Sequence, residues 1–142
     1  MNMNAKEFLS QARLLDLRVR ARIRQVEDLR ALACSVRGFS SEEPVSHTRD
    51  VTGLQNVVVK IIEEEQRLNE AIDNFVDVKL RIREVIDLVS DPLMQLILEK
   101  RYLLFESWDQ IVADLAYSRR WVMQLHKAAL EIVDQILENG AA

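Results

Sequence analysis

Glycine and proline are scarce in this 142-residue chain, with three Gly and two Pro. Both residues punctuate regular structure, so their scarcity leaves room for long helices and little for the many turns of an extended sheet. Cysteine occurs once, as Cys34. A lone thiol cannot build an internal disulfide framework, which fits a reducing cytosol, although a bridge between chains stays open. Its position near the end of an amphipathic stretch predicts a small packing residue. No apolar run approaches the roughly 20 residues needed to span a bilayer, and the opening MNMNAKEFLSQA has no charged-then-apolar signal pattern. Neither membrane insertion nor secretion is expected. Basic excess is missing too: the net charge of -4 counts against a general nucleic-acid coat, since such proteins are basic overall.

The residue patterns of catalysis are also missing. There is no glycine-rich phosphate loop, no Ser/His/Asp order and no paired carboxylate setting. Helices and one loop use almost the whole chain, leaving little scaffold for a buried pocket, so the chain reads as a non-enzyme with no catalytic residue and no cofactor. Glu63, Glu64 and Glu65 are consecutive and therefore fan around a helix, as a solvated face and not a metal cluster. His47 and His126 lie in separate segments without a nearby Cys, so no metal site is expected. His126 reads as a helix-side or phosphate-facing residue.

What is present is helical periodicity. Asn4-Ala5-Lys6-Glu7 has the form of a capping box. Phe8, Ala12, Leu15, Val19, Val26, Leu29, Ala33 and Val36 then follow in alternating steps of four and three, broken only by Arg22. Gly38 predicts a stop, and residues 38–53, rich in Ser, Thr and Pro without periodicity, predict an exposed loop. Thr52-Gly53-Leu54-Gln55 predicts a second helix start. Leu54, Val58, Ile61, Leu68, Ile72, Phe75, Ile82, Ile86 and Val89 form its seam, with Glu65 and Lys79 as polar interruptions. The alternating run Arg18, Arg20, Arg22 and Arg24 spreads over more than one face and predicts solvation or pairing with an acidic helix, ahead of an added phosphate contact. The two stretches predict a long antiparallel, coiled-coil-like hairpin. Its uncovered apolar edge predicts a second copy of the chain, a homo-oligomer and most simply a dimer.

Asp91-Pro92 predicts a cap followed by a first-turn proline, dividing the chain into an oligomerisation module, 1–90, and a second domain, 91–142. The richest signal lies in the second. Ser107 with Gln110 three residues later predicts the start of a short helix at Trp108, whose Ile111, Val112 and Leu115 share an apolar face. Ala116-Tyr117 predicts a turn, and Ser118 caps a further helix in which Val122, Leu125 and Ala129 point inward. Arg119, Arg120, Met123, Gln124 and Lys127 fall opposite. No acid occurs between Ser118 and Leu130, so the outward face can approach phosphate, while Arg can fork onto a guanine edge and Gln onto an adenine edge. Ser118, Arg119, Arg120, Met123, Gln124 and Lys127 are therefore the candidate DNA-binding residues of a helix-turn-helix. Trp108 and Trp121 read as packing or interface aromatics.

The segment 96–136 resembles region four of bacterial sigma factors. Lys100-Arg101-Tyr102-Leu103, Ser107-Trp108-Asp109-Gln110-Ile111, Val122 and Leu125-His126-Lys127-Ala128-Ala129-Leu130 carry that likeness. With two long helices ahead of this module, the chain is similar to the ArpU/RinA-like transcription regulators of phages. It departs from the pattern at Val112, where a small Ala is usual, and at Ala116, where the turn usually has Gly. If Ala116 is left-handed, losing Gly costs on the order of 1 kcal/mol. The resemblance implies an all-α fold and sequence-specific control of transcription, with activation of late phage genes in the cytoplasm of a bacterial host. The expected partners are double-stranded DNA, a second copy of the chain and, as a further candidate, bacterial RNA polymerase. The alternative is a helical adaptor that binds polymerase or a sigma factor without touching DNA.

Overall fold

A computed structural model describes residues 3–40 and 47–140, with side chains described for 3–35 and 53–140. Among these residues the regular structure is entirely helical: α1 (Ala5–Ser40), α2 (His47–Asp87), α3 (Pro92–Leu98) continuing into a π-helical turn (Glu99–Leu103), α4 (Trp108–Leu115) and α5 (Arg119–Glu138). None of these helices is long and apolar enough to cross a membrane. The starts of α1, α3, α4 and α5 follow the predicted caps. Asn4 Oδ1 accepts from Glu7 N–H at 2.8 Å while Glu7 Oε2 accepts from Asn4 N–H at 3.3 Å. Asp91 Oδ1 accepts from Leu93 and Met94 N–H, with Pro92 in the first turn. Ser107 and Ser118 hydroxyls accept from Gln110 and Trp121 N–H at 3.2 and 3.1 Å.

The expected loop over 38–53 is corrected. Helix α1 runs through Gly38 to Ser40, and α2 has already begun at His47, so Thr52-Gly53 lies inside a helix and does not start one. An established helix propagates through a single glycine at a cost of about 1 kcal/mol, which growth from a long packed helix absorbs. Residues 41–46, and the side chain of Val36, lie outside the described residues.

Two compact units divide the chain: Met1–Leu15 with Phe75–Ala142, and Asp16–Asn74. The Asp91-Pro92 junction therefore lies inside the first unit. The first unit holds the larger core, in which Phe8, Leu9 and Ala12 of α1, Ile82, Val85 and Ile86 of α2 and Val89 just after it are buried with Leu98, Tyr102, Ala129 and Val133. Asp134 Oδ1 accepts from Ala5 N–H at 2.6 Å, tying the first turn of α1 to α5. Gln95 Nε2 donates to the Asp87 carbonyl at 3.2 Å, an acceptor that the end of α2 leaves open, and at 3.4 Å to that of Ile86, which already accepts from Val89 N–H.

In the second unit Val19 and Val26 are buried as predicted, and Asp16, also buried, receives Arg20 Nε at 3.2 Å. Arg30 and Glu65 pair between α1 and α2. Arg20 and Arg24 pair with Asp16 and Asp28 one turn away on α1 itself, in place of an acidic partner helix. Two seam readings are corrected. Val58 is exposed, because the inward-facing step on α2 falls at the half-buried Val57, and Cys34 is exposed beside the half-buried Ala33.

Among the described residues, two other than glycine have positive φ, Phe105 at 60° and Ala116 at 58°. Phe105 is held by stacking on Phe75 at 6.5 Å, with the Arg13 guanidinium and Lys79 ammonium 5.4 and 5.3 Å from its ring centre. Ala116 has no such compensation, and left-handed backbone costs an L-residue roughly 1–2 kcal/mol that glycine avoids. We expect Ala116→Gly to raise the unfolding free energy by about 1 kcal/mol, seen as a higher denaturant midpoint at unchanged slope, whereas Ala113→Gly, inside α4, lowers it by a similar amount. A lower midpoint for Ala116→Gly would contradict the left-handed assignment.

Candidate nucleic-acid interface

Helix α5 is positioned from below. Val122 and Leu125 pack with Ile97 and Ile111 in a second small core, with Trp108, Val112 and Leu115 partly buried against it. Ala129 and Val133, one and two turns further on, belong to the main core. Four inward residues at steps of three and four fix the helix rotation. The opposite side, Arg120, Gln124 and Lys127, is consequently exposed, with Arg119 and Met123 on one flank and Trp121 on the other. All six predicted residues are exposed, at the amino-terminal end of α5. Ser118 serves that surface through its cap, its oxygen accepting from Trp121 N–H and its own proton remaining free to donate.

The first turn of α5 contains two arginines and no acid. Cations there oppose the helix dipole, so their placement does not stabilise the helix. The turn instead concentrates positive charge. Arg119 Nη1 donates to Asp109 Oδ1 of α4 at 2.5 Å, so one of the two guanidiniums is held and has a defined direction. Tyr117 and Trp121, 49% and 45% exposed, border the surface with aromatic area.

His126 is corrected. It is buried, not phosphate-facing, because it follows Leu125 onto the inward side of α5. Its Nε2 lies 2.7 Å from Tyr102 Oη; the hydroxyl donates when the ring proton sits on Nδ1 and accepts when it sits on Nε2. Trp108 meets the imidazole edge-on at 4.5 Å, and the Arg101 guanidinium lies 5.0 Å from the Trp108 ring centre. This ring set joins α4, α5 and the π-helical turn, whose register is visible in Leu104 N–H donating to Glu99 at 3.0 Å. Beside it, Lys100 Nζ bridges Glu106 and Asp114 at 3.3 and 3.2 Å, and the Asp114 hydrogen bond holds the ammonium above its ordinary pKa. Sequence reasoning did not assign Asp109, Tyr102 or Arg101 to this framework. Asp109 is visible as a first-turn acid, but nothing in the spacing pairs it with Arg119 ten residues on.

Glu64 and Glu65 are occupied by Arg67 and Arg30. No group of three or more His, Cys, Asp or Glu side chains among the described residues is arranged to hold a metal ion. Comparison of the chain with protein-family models, with curated proteins and with solved structures returned no match.

Burial pushes the His126 pKa down to about 4, with the positive charges of Arg101 and Lys6 adding to the effect. The folded protein therefore keeps this ring neutral where the unfolded chain, near 6.5, protonates it. Unfolding then takes up a proton between these values, and stability falls as pH is lowered from about 6.5 to about 4. A ring-proton titration followed by NMR should place the His126 midpoint near 4; a midpoint near 6.5 would show that the ring is solvated.

Proposed function

We propose that this chain is a sequence-specific regulator of transcription that binds double-stranded DNA through α4, the Ala116-Tyr117 turn and α5, acting as a helix-turn-helix with α5 as the recognition helix. The observation that carries this reading is the division of α5 into a buried side, Val122, Leu125, Ala129 and Val133, and an exposed side bearing Arg120, Gln124 and Lys127 without an acid before Leu130. A helix held on one side by branched apolar residues and presenting long donors on the other suits entry into a major groove. The likeness of 96–136 to sigma region four, and of the chain to ArpU/RinA-like phage regulators, supports transcriptional control, with late phage genes as the target and the bacterial cytoplasm as the setting. A salt-sensitive, sequence-selective gel shift on phage promoter fragments tests it.

Within this reading, Arg120→Ala and Lys127→Ala each weaken binding to the selected site by about 5- to 150-fold, the cost of about 1–3 kcal/mol for a lost contact. Circular dichroism should be unaltered, because both side chains are exposed. Unaltered affinity in both variants would remove this face from the interface.

The α1–α2 pair supplies the assembly module, as an antiparallel hairpin that pairs with a second copy and so spaces two recognition helices on neighbouring half-sites. Support comes from the second unit, where Val58, Val59 and Ile62 leave an apolar ridge of α2 in solvent. The full chain should sediment as a dimer at high micromolar concentration, and Val59→Glu with Ile62→Glu should shift it toward monomer. A wild-type monomer under the same conditions would exclude the paired-site geometry.

A second reading is favoured by the exposed Tyr117 and Trp121, since amphipathic aromatics suit a protein partner: a helical adaptor for RNA polymerase or a sigma factor. Co-purification with polymerase together with no affinity for DNA would select it.

A further inference from the structure

We propose that Asp109 is a positioning residue for sequence discrimination: its carboxylate holds the Arg119 guanidinium in place before DNA arrives, so that Arg119 meets one base pair as a fixed fork. The inference rests on the DNA-binding reading and assigns to α4 a role in specificity that the recognition-helix residues alone do not supply.

Asp109 stands in the first turn of α4 and Arg119 is the first residue of α5, ten positions later. Their side chains meet at 2.5 Å between Arg119 Nη1 and Asp109 Oδ1, although both are open to water, at 58% and 88% exposure. An exposed ion pair adds little to fold stability. Its consequence is directional. An unrestrained arginine loses many rotamers when it docks, whereas one already held by a carboxylate gives up fewer at that moment. Guanidinium carries five N–H donors in a fixed plane, so engaging one nitrogen edge leaves others for the acceptors of a guanine.

The charge balance points the same way. A carboxylate at a DNA-facing surface repels phosphate and lowers attraction to every duplex alike, so Asp109 does not serve general affinity. Asp109 is favourable at the amino terminus of α4, but the dipole alone would not bring Arg119 to it; Arg119 sits at the end of α5 where a cation is disfavoured. The carboxylate offsets that local repulsion and fixes the side chain in one step. Arg120, next along the chain, lies nearer the centre of the exposed side and reads or anchors without this help.

The test compares the wild-type chain with Asp109→Asn, Arg119→Ala and the double variant, using selection from a randomised duplex pool and affinity for the selected duplex and a shuffled duplex at two salt concentrations. We expect Asp109→Asn to reduce preference at one base pair by up to about fivefold, the ceiling that an exposed ion pair sets, while affinity for the shuffled duplex stays level or rises because an anion has left the face. In the Arg119→Ala background, Asp109→Asn should add nothing to the loss at that position. A wild-type preference profile in Asp109→Asn, with or without a gain in affinity, would overturn the inference. The same loss in the Arg119→Ala background would overturn it as well, since Asp109 would then act without Arg119. A wild-type chain that selects no sequence would overturn the DNA-binding reading itself, an outcome distinguished by its appearance before any substitution is made.

Discussion

The inward side of α5 is the constraint on which the rest depends. Val122 and Leu125 close the small core with Ile97 and Ile111, while Ala129 and Val133 close the larger one with α1 and α2 residues. One helix is thus clamped in two clusters, and its rotation cannot change without opening both. Each buried aliphatic side chain contributes roughly 1.5–3 kcal/mol relative to exposure, so re-aiming the arginine-bearing side would cost several such terms. The exposed side is therefore presented in one orientation.

Polar groups refine what the apolar groups fix. Tyr102 and His126 satisfy each other inside the first unit, and an unpaired partner there would cost about 1–3 kcal/mol. The π-helical turn supplies the extra residue that brings Tyr102 inward, and Lys100 bridges from it to Glu106 and to Asp114 of α4. Such a bulge spends helix regularity to re-aim side chains. Here it couples α3 to the α4–α5 pair through one hydrogen bond, two ring contacts, Tyr102 on His126 and Arg101 on Trp108, and one bridged ammonium.

The local signals in the sequence were the readable ones. Caps at Asn4, Asp91, Ser107 and Ser118 announce themselves within four residues, because the bond they make is that short. The seam at Phe8, Ala12, Val19 and Val26, and the inward set on α5, follow from period alone. Gly38 misled because a stop signal is a modest energy that a long helix can override. Val58, Cys34 and His126 misled because one residue of phase decides whether a side chain faces core or water, and phase drifts over a long helix. The π-helical turn, the Tyr102 partnership and the Asp109–Arg119 pair have no local signature, since each depends on chain segments that only packing brings together. Period alone placed Arg120, Gln124 and Lys127 opposite the buried side of α5, while the direction of Arg119 depends on Asp109 across the turn.

The bond between Ala5 and Asp134 spans 129 positions of sequence, and the core around it joins the beginning of α1 to the end of α5. During synthesis, the first turns of α1 must wait for the last turns of α5 before their apolar groups find cover. Closing so large a loop is entropically slow, and exposed apolar surface in the interval favours association with other chains. Nascent copies emerging side by side on one message would meet in that interval, with Phe8, Leu9 and Ala12 still unburied.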